Sequence, residues 1–241
     1  YLQPKCNMAT GELVSMEALA RWQKSDGTFV SPEEFIPLCE SSGFITRVDM
    51  YIWKSVCKTL AAWQDKGCKL VPSSINVSMI DITNIDVPQY LSMLTEQYHI
   101  SPEYLPVEIT ESVFAESNTI VKNTITRFHK KGFYVLMDDF GSGYSSLNVL
   151  KDANVDYLKL DMKFMQIDAK NKGKGIQILK SIVDMAYRLG LVIIAEGVET
   201  KEQSEILKSM NCNYGQGFYF HRPMSVEAAE ELIQTIPIEN F

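Results

Sequence analysis

The amino-acid sequence predicts an α/β fold: a TIM-like (β/α)8 barrel with an irregular, antiparallel first strand, forming a single domain over residues 1–241. Three observations predict the barrel. Strand-like runs of period two alternate with helix-like runs seven or eight times along the chain, which implies parallel strands joined by right-handed crossovers. The length of 241 residues suits one barrel, a fold that typically takes about 250 residues. An open doubly wound sheet would alternate in the same way, but no Gly-x-Gly-x-x-Gly follows the first strand, so the barrel is the better reading.

The elements follow in order. Tyr1-Leu2-Gln3-Pro4 reads as the start of a strand, and the chain is therefore expected to be truncated at its N-terminus from a longer protein with sensory or membrane parts upstream. A strand-like run from Leu13 to Ala20 leads to a helix opening at Ser31-Pro-Glu-Glu34. Ser31 can cap that helix, Pro32 suits its first turn, Glu34 completes a capping box and Gly43 can end it. A longer helix from about Thr46 to Asp65 carries the apolar stripe Val48, Ile52, Val56, Leu60, Trp63. Strand-like runs at Ser74 to Val77, Leu105 to Thr110, Phe133 to Met137, Val155 to Asp161 and Leu191 to Ala195 are each followed by a helical pattern. A short strand near Gly215 to Tyr219, with Gln216 at its start, precedes a last helix from Val226 to Thr235.

Composition excludes several functions. Hydrophobic residues make up 46% and charged residues 22% of the chain, as in ordinary soluble proteins. No run is apolar enough over the roughly 20 residues that a membrane span needs, and no signal peptide opens the chain. A cytoplasmic domain without membrane contact of its own is expected, within a larger protein that is membrane-bound or not. The five cysteines, Cys6, Cys39, Cys57, Cys68 and Cys212, form no Cys-x-x-Cys and read as free thiols of a reducing compartment. The three histidines are too scattered for a histidine metal site. Net charge is -7, and the lone basic cluster, Lys170, Lys172 and Lys174, reads as a solvated loop. Long nucleic acid is disfavoured as a partner.

Polar residues collect where the strands end. Glu17, Asn76, Glu108 with Glu111 beyond it, Asp138 and Asp139, Lys159 and Asp161, and Glu196 with Glu199 beyond it recur strand after strand. In a parallel barrel these ends open on one face, the face that carries active sites. Side-chain parity puts Ser74, Asn76 and Ser78 on one side of their strand, Lys159 and Asp161 on one side of theirs, and Glu17 with Arg21 likewise. Each residue alone would read as a solvated or capping group. Several carboxylates and an Asn aimed at one basin repel one another and need cations or raised pKa values to persist. The donors are all oxygen, so hard divalent cations, Mg²⁺ or Mn²⁺, are the natural fit; two of them could act on a phosphodiester.

These residues resemble a known family. Met16-Glu-Ala-Leu-Ala-Arg-Trp22 resembles the signature of EAL-domain cyclic di-GMP phosphodiesterases. The match continues through Phe35-Ile-Pro-Leu38, Asn76-Val-Ser78, Glu108-Ile-Thr-Glu-Ser112 and Asp138-Asp-Phe-Gly-Ser-Gly-Tyr-Ser-Ser-Leu147. It then runs through Asp156-Tyr-Leu-Lys-Leu-Asp161, Ala195-Glu-Gly-Val-Glu-Thr200, Gln216-Gly-Phe218 and Arg222-Pro223, in the family's order over nearly the whole chain. The departures are small: Ser142 stands where Thr or Ala is common, Phe218 where Tyr is common, Met162-Lys163 replaces Arg-Ser, and the helix before the first strand is missing.

The resemblance implies the following roles. Glu17, Asn76, Glu108 and Asp138 are ligands of a first divalent cation, with Asp138 bridging to a second that Asp139 also holds. Glu196 sits beside the attacking water or the second cation, and Lys159 contacts that water. Glu111 pins the loop from Asp138 to Ser146. Gln3, Leu19, Arg21, Asp161, Glu199 and Gln216 match substrate-contacting positions. The implied reaction is attack of water on one phosphorus of cyclic di-GMP, departure of the 3′ oxygen and release of linear pGpG, by a homodimer. The alternative is a catalytically silent cyclic di-GMP receptor or scaffold, in which lost ligands would be expected.

Overall fold

The computed structural model describes residues 1–115, 119–141, 150, 153–162 and 172–239. Ser142, Gly143 and Ser146 of the expected glycine loop, Lys170 of the basic cluster, and Lys163, which follows the Lys159–Asp161 strand, lie outside these residues. Eight strands close a barrel: β1 (Leu2–Asn7), β2 (Leu13–Ala18), β5 (Ser73–Asn76), β6 (Val107–Thr110), β7 (Val135–Phe140), β8 (Tyr157–Asp161), β9 (Val192–Glu196) and β10 (Tyr214–Gln216). Round the barrel the order is β1, β10, β9, β8, β7, β6, β5, β2. Seven strands run parallel, and β1 runs antiparallel to both of its neighbours, β2 and β10. The expected barrel and its irregular first strand are both present. A small hairpin, β3 (Trp22–Gln23) and β4 (Phe29–Val30), stands outside it.

Helices wrap the strands: α1 (Pro32–Ser41), α2 (Ile45–Asp65), α3 (Met79–Asn84), α4 (Val87–Tyr98), α5 (Glu111–Ala115), α6 (Thr119–Lys130), α7 (Lys172–Arg188), α8 (Lys201–Ser209) and α9 (Val226–Thr235). Helix α2 buries Trp53, Val56, Cys57, Leu60 and Trp63, a spacing of three and four that makes one stripe. Among the described residues no helix is long and apolar enough to cross a membrane.

Parity divides each strand between two surroundings. Val135, Met137, Leu158, Leu160, Ile193 and Ala195 belong to the large core between barrel and helices. Their neighbours Leu136, Tyr157 and Ile194 form a separate small cluster, and two residues further along the same strand faces come Asp138, Lys159 and Glu196. On these three strands the barrel interior is therefore apolar towards one end and charged towards the other.

Some local expectations are corrected. Ser31 does precede α1, but its hydroxyl makes no capping bond; its backbone carbonyl accepts from Glu34 N and Phe35 N instead. Capping boxes do form at Ser78 with Asp81, opening α3, and at Thr200 with Gln203, opening α8. Ser78 is thus a helix cap beyond the end of β5, not a third residue on the inner face. Gln216 ends β10 rather than starting it, because the strand is only three residues long.

Candidate active site

The inward parity of β2, β5, β6, β7, β8, β9 and β10 brings their polar residues to one mouth. A cavity of about 300 Å³ opens there, lined among others by Gln3, Glu17, Asp138, Asp139, Lys159 and Glu196. Asp161, Glu199, Gln216 and Phe218 complete its wall. Gly217 fits beside Val198 only without a side chain, since a Cβ would come within 2.1 Å of the Val198 carbonyl oxygen.

Adjacent strand residues ordinarily point to opposite faces, so Asp138 and Asp139 should not both reach the cavity. The β7–β8 register shifts between Met137 and Phe140, and Asp139 sits at φ 56, in the left-handed region that Asp tolerates better than most residues. Asp138 Oδ1 accepts from Asp139 N at 2.8 Å, and both carboxylates line the cavity. Glu111 opens α5 and is buried; its Oε2 accepts from Gly141 N at 2.9 Å, which ties down the segment after the two aspartates.

Lys159, 1% exposed, is the hub. Its Nζ lies 3.2 Å from Glu17 Oε2, 3.1 Å from Asp138 Oδ1 and 2.6 Å from Glu196 Oε1, and it also donates to Glu108. Burial pulls the ammonium pKa down, but the carboxylates of Asp138, Glu108, Glu17 and Glu196 outweigh it and hold the pKa well above the usual lysine range. Glu108 is equally buried. Desolvation raises its pKa, and the Lys159 and Lys5 ammoniums overcome that and hold it at about 2. Burial and the Asp138 carboxylate raise Glu196 well above the ordinary range, against the pull of Lys159.

Amides and one indole set the remaining orientations. Glu17 Oε1 accepts from Asn76 Nδ2 at 3.2 Å, and its Oε2 accepts from Gln216 Nε2 at 2.7 Å. Gln216 Nε2 also donates to Gln3 Oε1 at 3.1 Å. Trp53 on α2 donates from Nε1 to the Asn76 carbonyl at 2.9 Å, fixing the end of β5.

The carboxylates fall into two groups, Glu17, Glu108 and Asp138, and Asp138, Asp139 and Glu196. Within each group the oxygens lie within 4.8 Å of one another, and Asp138 belongs to both. An all-oxygen donor set of this kind suits hard divalent cations.

Most of the expected site residues are therefore together. Leu19 and Arg21 are not among the residues lining the cavity, because β2 ends at Ala18 and its alternation stops there. Leu19 lines a different, apolar pocket with Tyr1 and Ile52. The Arg21 guanidinium lies 5.6 Å from the Tyr1 ring centroid and still feels the charge of Glu17. One residue, Lys5, has no role in the sequence reading. Lys5 is 1% exposed, and its Nζ donates to Glu108 Oε1 at 2.5 Å and to Ser74 Oγ at 2.8 Å. The signal for it was its parity with Gln3 on one short strand.

Comparison with known proteins identifies a family and relatives of this chain. The model of the EAL domain matches residues 1–223. The protein named "Probable cyclic di-GMP phosphodiesterase PdeB" of Escherichia coli (strain K12) is 35% identical over 228 residues, 94% of this chain and 43% of that protein. Cyclic di-GMP phosphodiesterase PA2567 of Pseudomonas aeruginosa is 31% identical over 96% of this chain and 39% of its own. This chain thus spans less than half the length of these relatives. Among solved structures, the PaMucR phosphodiesterase in complex with c-di-GMP superposes with a TM-score of 0.84 at 29% identity, covering 95% of this chain and 92% of that one.

Proposed function

The chain belongs to the EAL domain family, and from that membership we propose that it is a metal-dependent phosphodiesterase that hydrolyses cyclic di-GMP to linear pGpG. One observation carries the reading: two carboxylate groups share Asp138 at the mouth of a barrel, around a buried lysine. Glu17, Asn76, Glu108 and Asp138 would hold one divalent cation; Asp138 and Asp139 would hold a second beside Glu196. When bound, two such cations, Mg²⁺ or Mn²⁺, supply Lewis acidity to the phosphoryl oxygens and lower the pKa of the attacking water.

The chain's own residues orient and exclude. Lys159, held charged by its carboxylates, donates to the attacking water and to the phosphoryl oxygens on which charge develops; it can take a proton only if nearby cations lower its pKa. Glu111 keeps Asp138 and Asp139 aligned through Gly141. Gln3, Asp161, Glu199 and Gln216 offer amide and carboxylate groups to guanine edges. Arg21 and Leu19 would reach the substrate from just outside the cavity, Arg21 as a fork onto a phosphate.

We further place residues 1–241 as one domain of a homodimer in the cytoplasm, where five cysteines without disulfide partners persist as thiols. Asp138→Asn tests the site, because it removes the carboxylate common to both groups. Turnover of cyclic di-GMP should fall by more than about 100-fold, the upper end of what even an outer-shell partner costs, with an unchanged circular dichroism spectrum. Retained turnover would remove the assignment.

A further inference from the structure

The inner face of β1 carries two residues. Gln3 stands opposite Glu17 and reaches the charged mouth, and Lys5 stands opposite Ser15, one layer deeper. A lysine at an inner-layer position is costly, since an ammonium loses its hydration there, whereas an apolar side chain would fill the same space at no such penalty. Lys5 is 1% exposed, with its Nζ on Ser74 Oγ at 2.8 Å and on Glu108 Oε1 at 2.5 Å. Ser74 in turn donates to that same Oε1. Glu108 Oε2 is turned the other way, towards Lys159 and the mouth. Lys5 and Ser74 also line a separate cavity of about 210 Å³ with Tyr157 and Leu136. The two residues are therefore the floor between that cavity and the acidic site.

We propose that Lys5 is a positioning residue for Glu108: with Ser74 it locks Oε1 from below, so that Oε2 is the oxygen presented to a cation at the mouth. The proposal rests on the metal reading given above. It has a signed consequence. If Lys5 acted only as a positive charge near the site, its removal would relieve repulsion and tighten cation binding. A positioning role predicts the reverse, because a carboxylate released from its outer partners coordinates less well, typically by 10- to 100-fold in affinity.

The test is calorimetric and electron paramagnetic resonance titration with Mn²⁺ alone, on wild-type protein, Lys5→Met and Ser74→Ala. Lys5→Met should bind Mn²⁺ at least about 10-fold more weakly than wild type, and Ser74→Ala should be weakened in the same direction by a smaller factor. The KM for cyclic di-GMP at saturating Mn²⁺ should change little, because Lys5 lies below the cavity wall. Unchanged or tighter Mn²⁺ binding by Lys5→Met overturns the proposal while leaving the metal reading intact. If Lys5→Met does not fold, wild-type affinity in Ser74→Ala overturns it instead. A wild-type protein that binds no Mn²⁺ removes the metal reading and the proposal together.

Discussion

Glu108 is the carboxylate of the barrel interior whose neutralisation takes one buried charge from between two others. Its carboxylate is 1% exposed and lies between two ammoniums, Lys5 and Lys159, each also 1% exposed. Glu108→Gln keeps the shape and removes the charge. Two routes give its cost. The carboxyl is held at about 2 against an ordinary 4.5, and about 2.5 units at 1.36 kcal/mol each is about 3 kcal/mol. The folded-state pKa is depressed, so this stability is fully present above pH 4.5 and is lost as pH falls through about 2; at pH 7 all of it is at stake. Removing one partner of a buried ion pair independently costs about 3–5 kcal/mol. For a domain of this size each kcal/mol moves the melting temperature by about 2–4 °C, so Glu108→Gln should melt roughly 6–12 °C below wild type. The assay is thermal denaturation at pH 7 in EDTA, which keeps ligand stabilisation out of the comparison. Adding Lys5→Met to Glu108→Gln should recover part of the loss, because an unpaired buried ammonium is then gone. A melting point within about 2 °C of wild type would refute the view that the carboxylate and its two lysines form a tight charged core.

Two further predictions concern other elements. Glu111→Gln exchanges a charged acceptor for a neutral one at Gly141 N; a hydrogen bond weakened by about 1–2 kcal/mol should lower kcat by roughly 5- to 30-fold while circular dichroism stays unchanged, and an unaltered kcat would show that the Asp138–Asp139 segment is held by other means. Asp49 on α2 is held protonated by burial and by the Asp81 carboxylate, with its pKa pushed up to about 9 from 3.8. Such a raised group contributes stability below pH 3.8 that is lost progressively as pH rises towards 9. Asp49→Asn should therefore melt above wild type, with a gap that widens from pH 5 to pH 8; a constant gap, or none, would contradict a protonated Asp49.

Much of this architecture is legible in the sequence for identifiable reasons. Helix α9 has the expected bounds, Val226–Thr235, because Ser225 caps it through Ala228 N and Pro237 follows soon after. The stripe of α2 is long enough for its period to stand out. The collected carboxylates were visible because parallel strands all end on one face. What stayed hidden depends on contacts distant in sequence or on short elements. Lys5 looks like any strand lysine until β1, antiparallel between β2 and β10, turns it onto Glu108, 103 positions away. The bulge that lets Asp138 and Asp139 share a cavity is a backbone event at one residue. β10 begins one position before and ends three positions before the expected run, because that run continues past Gly217 into a turn.

The central claim is that this site opens a cyclic dinucleotide with the help of divalent cations. Its most direct test is chromatography of cyclic di-GMP after incubation with the purified chain, with Mg²⁺ or Mn²⁺ and, in parallel, with EDTA. The account predicts linear pGpG with the cations and none with EDTA. Tight calorimetric binding of cyclic di-GMP without any product, in the presence of either cation, would contradict it and identify the domain as a receptor.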